Sequence, residues 1–241
     1  MSVKFLKEAV FLAGGFGTRL SKVLHDTPKC LAPLSQDRVF LDLLAQQLAQ
    51  AGIEKFYFLT HHLHEKISEH VGDHYFGVRT TCVREDQPLG TGGSLIQALD
   101  YLEGETFLVL NADTYLGCDI RVLLKQVPPP QGVLLAATKV ANSGRFGKVQ
   151  IQPDGKVTAF LEKEAGADSP GFINAGLYLM DRAFGSGFTK GKACSLEKDI
   201  FPQLVRQGKL TAWTTESAFL DIGTPEDLEL AQATLIPPTI T

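Results

Sequence analysis

The sequence lacks the features that mark membrane, secreted and nucleic-acid-binding proteins. Its 241 residues contain no apolar run approaching the roughly 18 residues of a membrane span. The N-terminus has no long apolar segment followed by a small-residue cleavage site. Lys and Arg number 23 against 27 Asp and Glu, a net charge of −4, and no basic stripe is present. We therefore expect a cytoplasmic protein with no membrane or nucleic-acid partner.

Cysteine is also scarce. The chain has 4 cysteines, at positions 30, 82, 118 and 194, and none belongs to a C-x-x-C pair. This spacing is typical of neither a disulfide framework nor a zinc site, so we expect free thiols. Cys30 lies beside Lys29, which could activate the thiol, but a small apolar spacer is the simpler interpretation.

Three familiar glycine loops are absent as well. The string Gly-x4-Gly-Lys-Ser/Thr of the P-loop does not occur. The dinucleotide fingerprint Gly-x-Gly-x-x-Gly fails because Leu20 stands where its last glycine would be. The kinase signatures downstream of a glycine loop are missing too. These absences argue against P-loop enzymes, NAD-linked dehydrogenases and kinases.

The chain does contain a different glycine loop. An apolar run at residues 9–12 predicts a buried strand, and it leads directly into Gly14, Gly15 and Gly17. Glycines let the backbone turn tightly and bring its N–H groups close to a ligand. Two cations, Arg19 and Lys29, follow the loop. The segment therefore predicts an anion site, most simply for a polyphosphate, although a tight turn with incidental cations is the alternative.

The pattern of apolar runs predicts a single α/β domain. Strand-like and helical segments alternate up to about residue 140, which favours a mostly parallel sheet flanked by helices on both faces. The following part, about 141–220, reads as antiparallel strands that form a smaller, substrate-side sheet on this core. The predicted strands are 9–12, 55–60, 78–84, 106–110, 133–140, 147–152, 156–161, 172–180, 210–214 and 218–220, and the helices are 40–51, 63–71, 91–101, 195–207 and one from 225 onward.

Two predicted strands end on aspartates. Asp113 follows the strand at 106–110, and Asp221 follows the one at 218–220. Ligands in open α/β sheets bind beyond the carboxyl ends of the strands, and Mg²⁺ is usually held by one or two carboxylates together with ligand phosphates. A single such aspartate is more often a turn or N-cap residue. Two of them beside a cationic glycine loop favour a metal site.

These motifs, in this order, resemble the sugar-1-phosphate nucleotidylyltransferases. The resemblance runs from about residue 7 to residue 231 and rests on segments 12–20, 28–33, 88–93, 111–114, 145–147, 162–163, 174–176 and 221–224. Within the family, the strings at 88–93, 195–199 and 221–227 are most similar to D-glycero-α-D-manno-heptose 1-phosphate guanylyltransferases. The resemblance implies a Rossmann-like fold of the nucleotide-diphospho-sugar transferase type and Mg²⁺ as the cofactor.

The resemblance also implies a role for each matching residue. Catalytic charges would come from Arg19, Lys29 and Lys163. The nucleotide would be bound by Leu12, Gly14, Gly15, Gly17, Thr18, Glu85, Gln87, Gly90 and Gly92. The sugar would be bound by Asn111, Gly147, Glu162 and Asn174, and the metal by Asp113 and Asp221. Gln87 departs from the acidic residue that is frequent in close relatives, which leaves base selection open.

The implied reaction joins an NTP to a sugar 1-phosphate and releases pyrophosphate, with GTP and a manno-heptose 1-phosphate as the favoured pair. The second pKa of such a phosphate is about 6, so its oxygen is already anionic at neutral pH and needs no general base. One alternative is the same chemistry with UTP or CTP and another hexose or amino-sugar phosphate. Another is a catalytically silent regulatory subunit, although the charged positions are all retained. The oligomeric state stays open.

A histidine-rich string stands apart from these motifs. His61, His62 and His64 follow a predicted strand, and His70 and His74 lie further along. Histidines at such spacing can bind zinc. The alternative, which we favour, is a solvated loop and helix face that could touch the sugar end of the site.

Overall fold

A mixed sheet of ten strands forms the centre of the protein, as a computed structural model describes it over residues 6–17, 19–144, 146, 148–161 and 169–235. The strands are β1 Glu8–Leu12, β2 Lys55–Thr60, β3 His74–Tyr75, β4 Val78–Arg84, β5 Thr106–Asn111, β6 Thr114–Leu116, β7 Val133–Val140, β8 Lys148–Ile151, β9 Val157–Leu161, β10 Gly171–Asp181, β11 Leu210–Thr215 and β12 Phe219–Asp221. β6 and β12 pair separately as a small antiparallel sheet.

The helices are α1 Ser21–Leu24, α2 Phe40–Gln50, α3 His64–Val71, α4 Gly90–Ala98, α5 Ile120–Leu123, α6 Phe201–Arg206 and α7 Pro225–Thr234. Short turns of other helical types occur at Lys29–Leu31, Arg182–Gly187 and Leu196–Ile200. The helix predicted at 195–207 is therefore divided: a π-helical turn begins it, capped by Ser195, whose hydroxyl accepts from the Lys198 amide at 3.2 Å, and α6 completes it.

The strand order in the large sheet is β11-β7-β10-β5-β1-β2-β4-β3. β5, β1, β2 and β4 are parallel, as are β11 and β7, whereas β10 runs antiparallel to both of its neighbours. The β8–β9 hairpin is antiparallel and attaches to β10. A mostly parallel sheet with a smaller antiparallel part is what the sequence predicts, and the fold class is confirmed.

The central strands are buried on both faces, which explains why they read as continuous apolar runs rather than alternating ones. On one face, Phe11 and Phe58 pack in a core that includes residues of α2, α3 and α7. On the other face, Val10 and Tyr57 pack in a second core that includes residues of α4 and α6. Successive residues of a strand point to opposite faces, so one strand supplies both layers.

Two further features concern the helices and the cysteines. No helix among the described residues is both long and apolar enough to cross a membrane. All four cysteines lie within the described ranges and are free. Burial raises the pKa of the Cys30 thiol to about 12, and the negative charge of Asp113 adds to the effect. Cys30 is thus protonated at neutral pH and buried, which confirms that it is an apolar spacer.

The topology brings distant segments to one edge of the sheet. The carboxyl ends of β1, β2, β4 and β5 lie side by side because these strands are parallel. The β6–β12 pair then sets Asp221 opposite Thr114, and the Ile222 amide donates to the Asp113 carbonyl at 3.1 Å. The two predicted strand-end aspartates therefore meet although they come from different parts of the chain.

Candidate functional site

Two adjoining cavities open at this edge. The first has a volume of about 210 Å³, and its lining includes Gly17, Arg19 and Lys29. The second has a volume of about 300 Å³, and its lining includes His61 and Glu85. Both are lined by Leu12, Gly15 and Asp113. They therefore form two lobes of one cleft, with the glycine loop between them.

An ammonium group bridges the two aspartates at the first cavity. Lys29 Nζ lies 2.6 Å from Asp113 Oδ2 and 3.2 Å from Asp221 Oδ1. The Lys29 side chain is only 14% exposed, so its charge is directed into the site rather than into solvent. Burial raises the pKa of Asp221; Lys29 opposes this rise, and Asp113 reinforces it. The cleft thus concentrates a buried cation and two carboxylates within hydrogen-bonding distance.

The same carboxylates are the donors that suit a divalent ion. No group of three or more His, Cys, Asp or Glu that could hold a metal occurs among the described residues. Two converging carboxylates are nevertheless the protein ligands that Mg²⁺ typically uses when phosphates supply the remainder. The donor set therefore fits an ion that arrives with a phosphorylated ligand, sharing the carboxylates with Lys29.

The glycine loop is shaped by close approaches. A Cβ at Gly14 would lie 3.3 Å from Glu85 Oε1 and 3.4 Å from the His61 backbone nitrogen. Gly17 has a φ of +57°, a left-handed conformation that favours glycine. Arg19 extends from the end of the loop to within 3.3 Å of a Cβ placed at Gly223, beside Asp221. The loop thus offers backbone to both cavities and a second cation to the first.

The second glycine-rich segment, residues 88–93, lines the second cavity but also packs against the segment around Cys194. The amides of Gly92 and Gly93 donate to the Cys194 carbonyl at 2.9 and 3.2 Å, and the Cys194 amide donates to the Leu89 carbonyl. A Cβ at Gly92 would lie 2.7 Å from Ile200 Cδ1. Gly90 lines the second cavity, whereas Gly92 lines neither. The resemblance implies that Gly92 contacts the base of the nucleotide, but in the structure Gly92 contacts Cys194 and Ile200 instead.

This contact predicts a difference between two glycine substitutions. Gly90 and Gly191 both have a positive φ, so alanine at either costs roughly 1–2 kcal/mol of backbone strain. At Gly90 the new Cβ would also lie 2.7 Å from the Cys194 carbonyl oxygen, whereas Gly191 has open space. We expect Gly90→Ala to lower the free energy of unfolding by about 1–3 kcal/mol more than Gly191→Ala. Urea unfolding of both variants measures this, and equal losses would contradict it.

Of the two polar residues predicted near the base, the structure brings one to the cavity. Glu85 is buried, and its carboxylate accepts from the Leu89 amide at 2.8 Å and from Ser94 Oγ at 2.5 Å. These bonds fix the carboxylate at the wall of the second cavity. Gln87 is exposed and lines neither cavity.

Of the two described residues that were predicted to bind the sugar, one lines a cavity and the other does not. Asn111 lines the second cavity. Asn174 lines neither cavity, because its amide is used within β10: Nδ2 donates to Tyr178 Oη at 2.8 Å, and Oδ1 accepts from the Gly176 amide at 3.0 Å. Asn174 therefore holds the bulge in that strand.

Four predicted site residues lie outside the described part of the chain: Thr18, Gly147, Glu162 and Lys163.

The second cavity is also lined by residues that the sequence interpretation did not assign to the site, among them Phe16, His61 and Glu197. Glu197 accepts from Ser195 Oγ at 3.0 Å and from Thr91 Oγ1 at 3.3 Å. Its only signal in the sequence is the string at 195–199, because it does not follow a strand. His61 belongs to the histidine-rich string, and its Nδ1 lies 3.1 Å from the Glu85 carbonyl oxygen rather than in a metal cluster.

Comparison with known proteins gives a consistent result. The family described as nucleotidyl transferase matches residues 8–236. The chain is 32% identical over 229 residues to a D-glycero-alpha-D-manno-heptose 1-phosphate guanylyltransferase of Aneurinibacillus thermoaerophilus, covering 95% of this chain and 98% of the relative. It is 33% identical to a mannose-1-phosphate guanylyltransferase of Mycobacterium tuberculosis, covering 95% of this chain and 64% of that relative. HddC from Yersinia pseudotuberculosis, in a crystal structure complexed with GMP-PN, matches with a TM-score of 0.84 at 29% identity, covering 96% of this chain and all of that one.

Proposed function

The chain belongs to the nucleotidyl transferase family, and we propose that it transfers the guanylyl group of GTP to D-glycero-α-D-manno-heptose 1-phosphate in the cytoplasm, releasing pyrophosphate. One observation carries the proposal: Lys29 is held between Asp113 and Asp221 on the wall of a cavity that the glycine loop and Arg19 also line. A cation that is buried beside two carboxylates suits a site where two polyanions must meet. The name of the Aneurinibacillus relative supports the base and the sugar, and the GMP-PN complex supports the base.

In this reaction an oxygen of the sugar phosphate attacks the α-phosphorus of GTP, and the bond from that phosphorus to the bridging oxygen of pyrophosphate breaks. The attacking oxygen is already anionic because the second pKa of a phosphate monoester is about 6. The protein therefore has to align the reactants and offset their charge rather than remove a proton. This agrees with a first cavity whose charged lining residues are Arg19, Lys29 and Asp113.

We assign the charged residues accordingly. The loop containing Gly14, Gly15 and Gly17 would cradle the phosphates with its backbone, and Arg19 would stabilise the leaving pyrophosphate. Lys29 would offset the charge at the α-phosphate. Mg²⁺, when bound by Asp113 and Asp221, would neutralise phosphate charge and orient the phosphates. The roles implied for Thr18 and Lys163, at the phosphates, and for Gly147 and Glu162, at the sugar, stay predictions.

The second cavity would hold the nucleoside and the sugar. Leu12, Gly90 and Glu85 lie where a base entering beside the glycine loop would meet them. Asn111 and Glu197 line the same cavity and would bind sugar hydroxyls. Gln87 is exposed, so we place base selection at Glu85 rather than at Gln87.

A panel assay tests the proposal. Purified protein is given each of GTP, ATP, UTP and CTP with Mg²⁺ and, in turn, heptose, mannose and glucose 1-phosphates, and released pyrophosphate is measured. We expect the highest kcat/KM with GTP and the heptose phosphate. A preference for mannose 1-phosphate would favour the activity named for the mycobacterial relative. Preference for UTP or CTP would overturn the base assignment, and no release with any pair would favour a silent regulatory subunit.

A further inference from the structure

One nitrogen of His61 has a fixed role. His61 lines the second cavity, and its Nδ1 lies 3.1 Å from the backbone carbonyl oxygen of Glu85. A carbonyl oxygen can only accept a hydrogen bond, so Nδ1 carries the proton. In the neutral ring, Nε2 is then unprotonated and can only accept. A ring on the wall of the cavity therefore has one nitrogen committed to the backbone and one acceptor left for a ligand.

A second acceptor lines the same cavity. The Glu85 carboxylate accepts one bond at each oxygen, from the Leu89 amide and from Ser94 Oγ, and a carboxylate has lone pairs for more. Gly14 lies against both groups, since a Cβ there would be 3.3 Å from Glu85 Oε1 and 3.6 Å from His61 Cβ. Gly14, His61 and Glu85 thus line one wall of the cavity, which has a histidine ring and a carboxylate as its acceptors.

An exposed aromatic ring lies beside this wall. Phe16 is 54% exposed although it lines the cavity, and its ring centroid is 5.9 Å from that of His61 and 5.3 Å from that of His62. A large apolar side chain half in water at the mouth of a cavity is suited to cover a flat ligand. Pro88 lines the same cavity and adds a further apolar surface. The cavity therefore offers apolar surface for the faces of a planar ring and acceptors for its edge.

We propose that His61 is a specificity-determining residue that accepts a hydrogen bond from the 2-amino group of guanine, next to Glu85, which accepts from N1–H. The inference rests on the proposed use of GTP and explains it. Guanine presents two adjacent donors on one edge, whereas uracil presents a single N–H between two carbonyl oxygens, and cytosine and adenine each place an acceptor nitrogen beside their amino group. Two adjacent acceptors fit only the guanine edge without leaving a polar group unpaired.

Binding of GTP and ITP to the full-length protein tests this, because ITP lacks only the 2-amino group. We expect the wild type to bind GTP about tenfold more tightly than ITP, the effect of one hydrogen bond. His61→Phe keeps a ring but removes the acceptor, so its GTP-to-ITP ratio should fall to about one. His61→Gln retains an acceptor oxygen and should restore part of the ratio. Isothermal titration calorimetry measures all of these affinities, and thermal unfolding checks that each variant is folded.

A matched control is available at the next residue. His62 touches Phe16 but does not line the cavity, so His62→Phe should keep the wild-type ratio. Phe16→Ala should weaken GTP and ITP equally, because it removes a contact with the face of the base. The inference is overturned if His61→Phe keeps the wild-type ratio, or if the wild type binds GTP and ITP equally. In both cases continued pyrophosphate release with GTP would leave the proposed function standing, whereas loss of GTP binding in the wild type would contradict both.

Discussion

Replacing Lys29 by methionine is expected to lower kcat about 10²- to 10³-fold, the usual effect of removing one group that stabilises charge in the transition state. The same change should tighten Mg²⁺ binding. The ammonium now lies 2.6 Å from Asp113 and 3.2 Å from Asp221, so a divalent ion has to compete with it for their oxygens. Without Lys29 the two carboxylates lack that counter-charge and should bind the ion more strongly. Methionine is apolar and similar in length, so it fills the mostly buried space without introducing a new polar group.

Two measurements on the same variant separate the two effects. Pyrophosphate release gives kcat, and calorimetric titration of the nucleotide-free protein gives the affinity for Mg²⁺. Lys55→Met is the matched control, because Lys55 begins β2 at the opposite edge of the sheet and pairs with Glu103 at 2.5 Å. It should change neither quantity. Normal turnover in Lys29→Met would remove Lys29 from the catalytic groups, and weaker Mg²⁺ binding would contradict the competition.

Sequence patterns predict this fold well where local signals agree with tertiary structure. The run at 55–60 is observed as β2 with the same bounds, and the helix predicted from 225 onward is observed as α7, which begins at Pro225. The glycine loop and both aspartates were found because each follows an apolar strand. That Asp113 and Asp221 share a site was predicted from their positions at strand ends, but the pairing of β6 with β12, which brings them together, was not.

The site features that the sequence did not predict depend on whether a residue contacts a ligand or another segment of the protein. A glycine-rich string indicates that something approaches the backbone closely, but not whether that is a ligand or another segment. At Gly92 it is Cys194, so a residue predicted to touch the base contacts the protein instead. Glu197 reaches the cavity because the segment around Cys194 packs onto the start of α4. No periodicity or spacing in one sequence carries that information.

Asp113→Asn should lower kcat/KM about 10²- to 10³-fold at a fixed, moderate Mg²⁺ concentration, since metal ions contribute several kcal/mol of charge stabilisation in such reactions. Asparagine has nearly the same shape and still offers an oxygen to Lys29. The Asp113 backbone carbonyl, which accepts from Ile222, is unchanged. The fold should therefore be preserved, and the loss should come from the missing negative charge. Raising the Mg²⁺ concentration should recover part of the activity, because a neutral amide oxygen binds the ion more weakly than a carboxylate.

Asp119→Asn is the matched control for this change. Asp119 caps α5, accepting from the Arg121 amide at 3.0 Å, and lies outside both cavities. Asparagine caps helices as well as aspartate does, so stability and turnover should both remain near the wild-type values. Near-normal turnover of Asp113→Asn at the same Mg²⁺ concentration would show that Asp113 is not a metal ligand. A loss of activity that no concentration of Mg²⁺ relieves would instead indicate that the charge of Asp113 serves mainly to position Lys29.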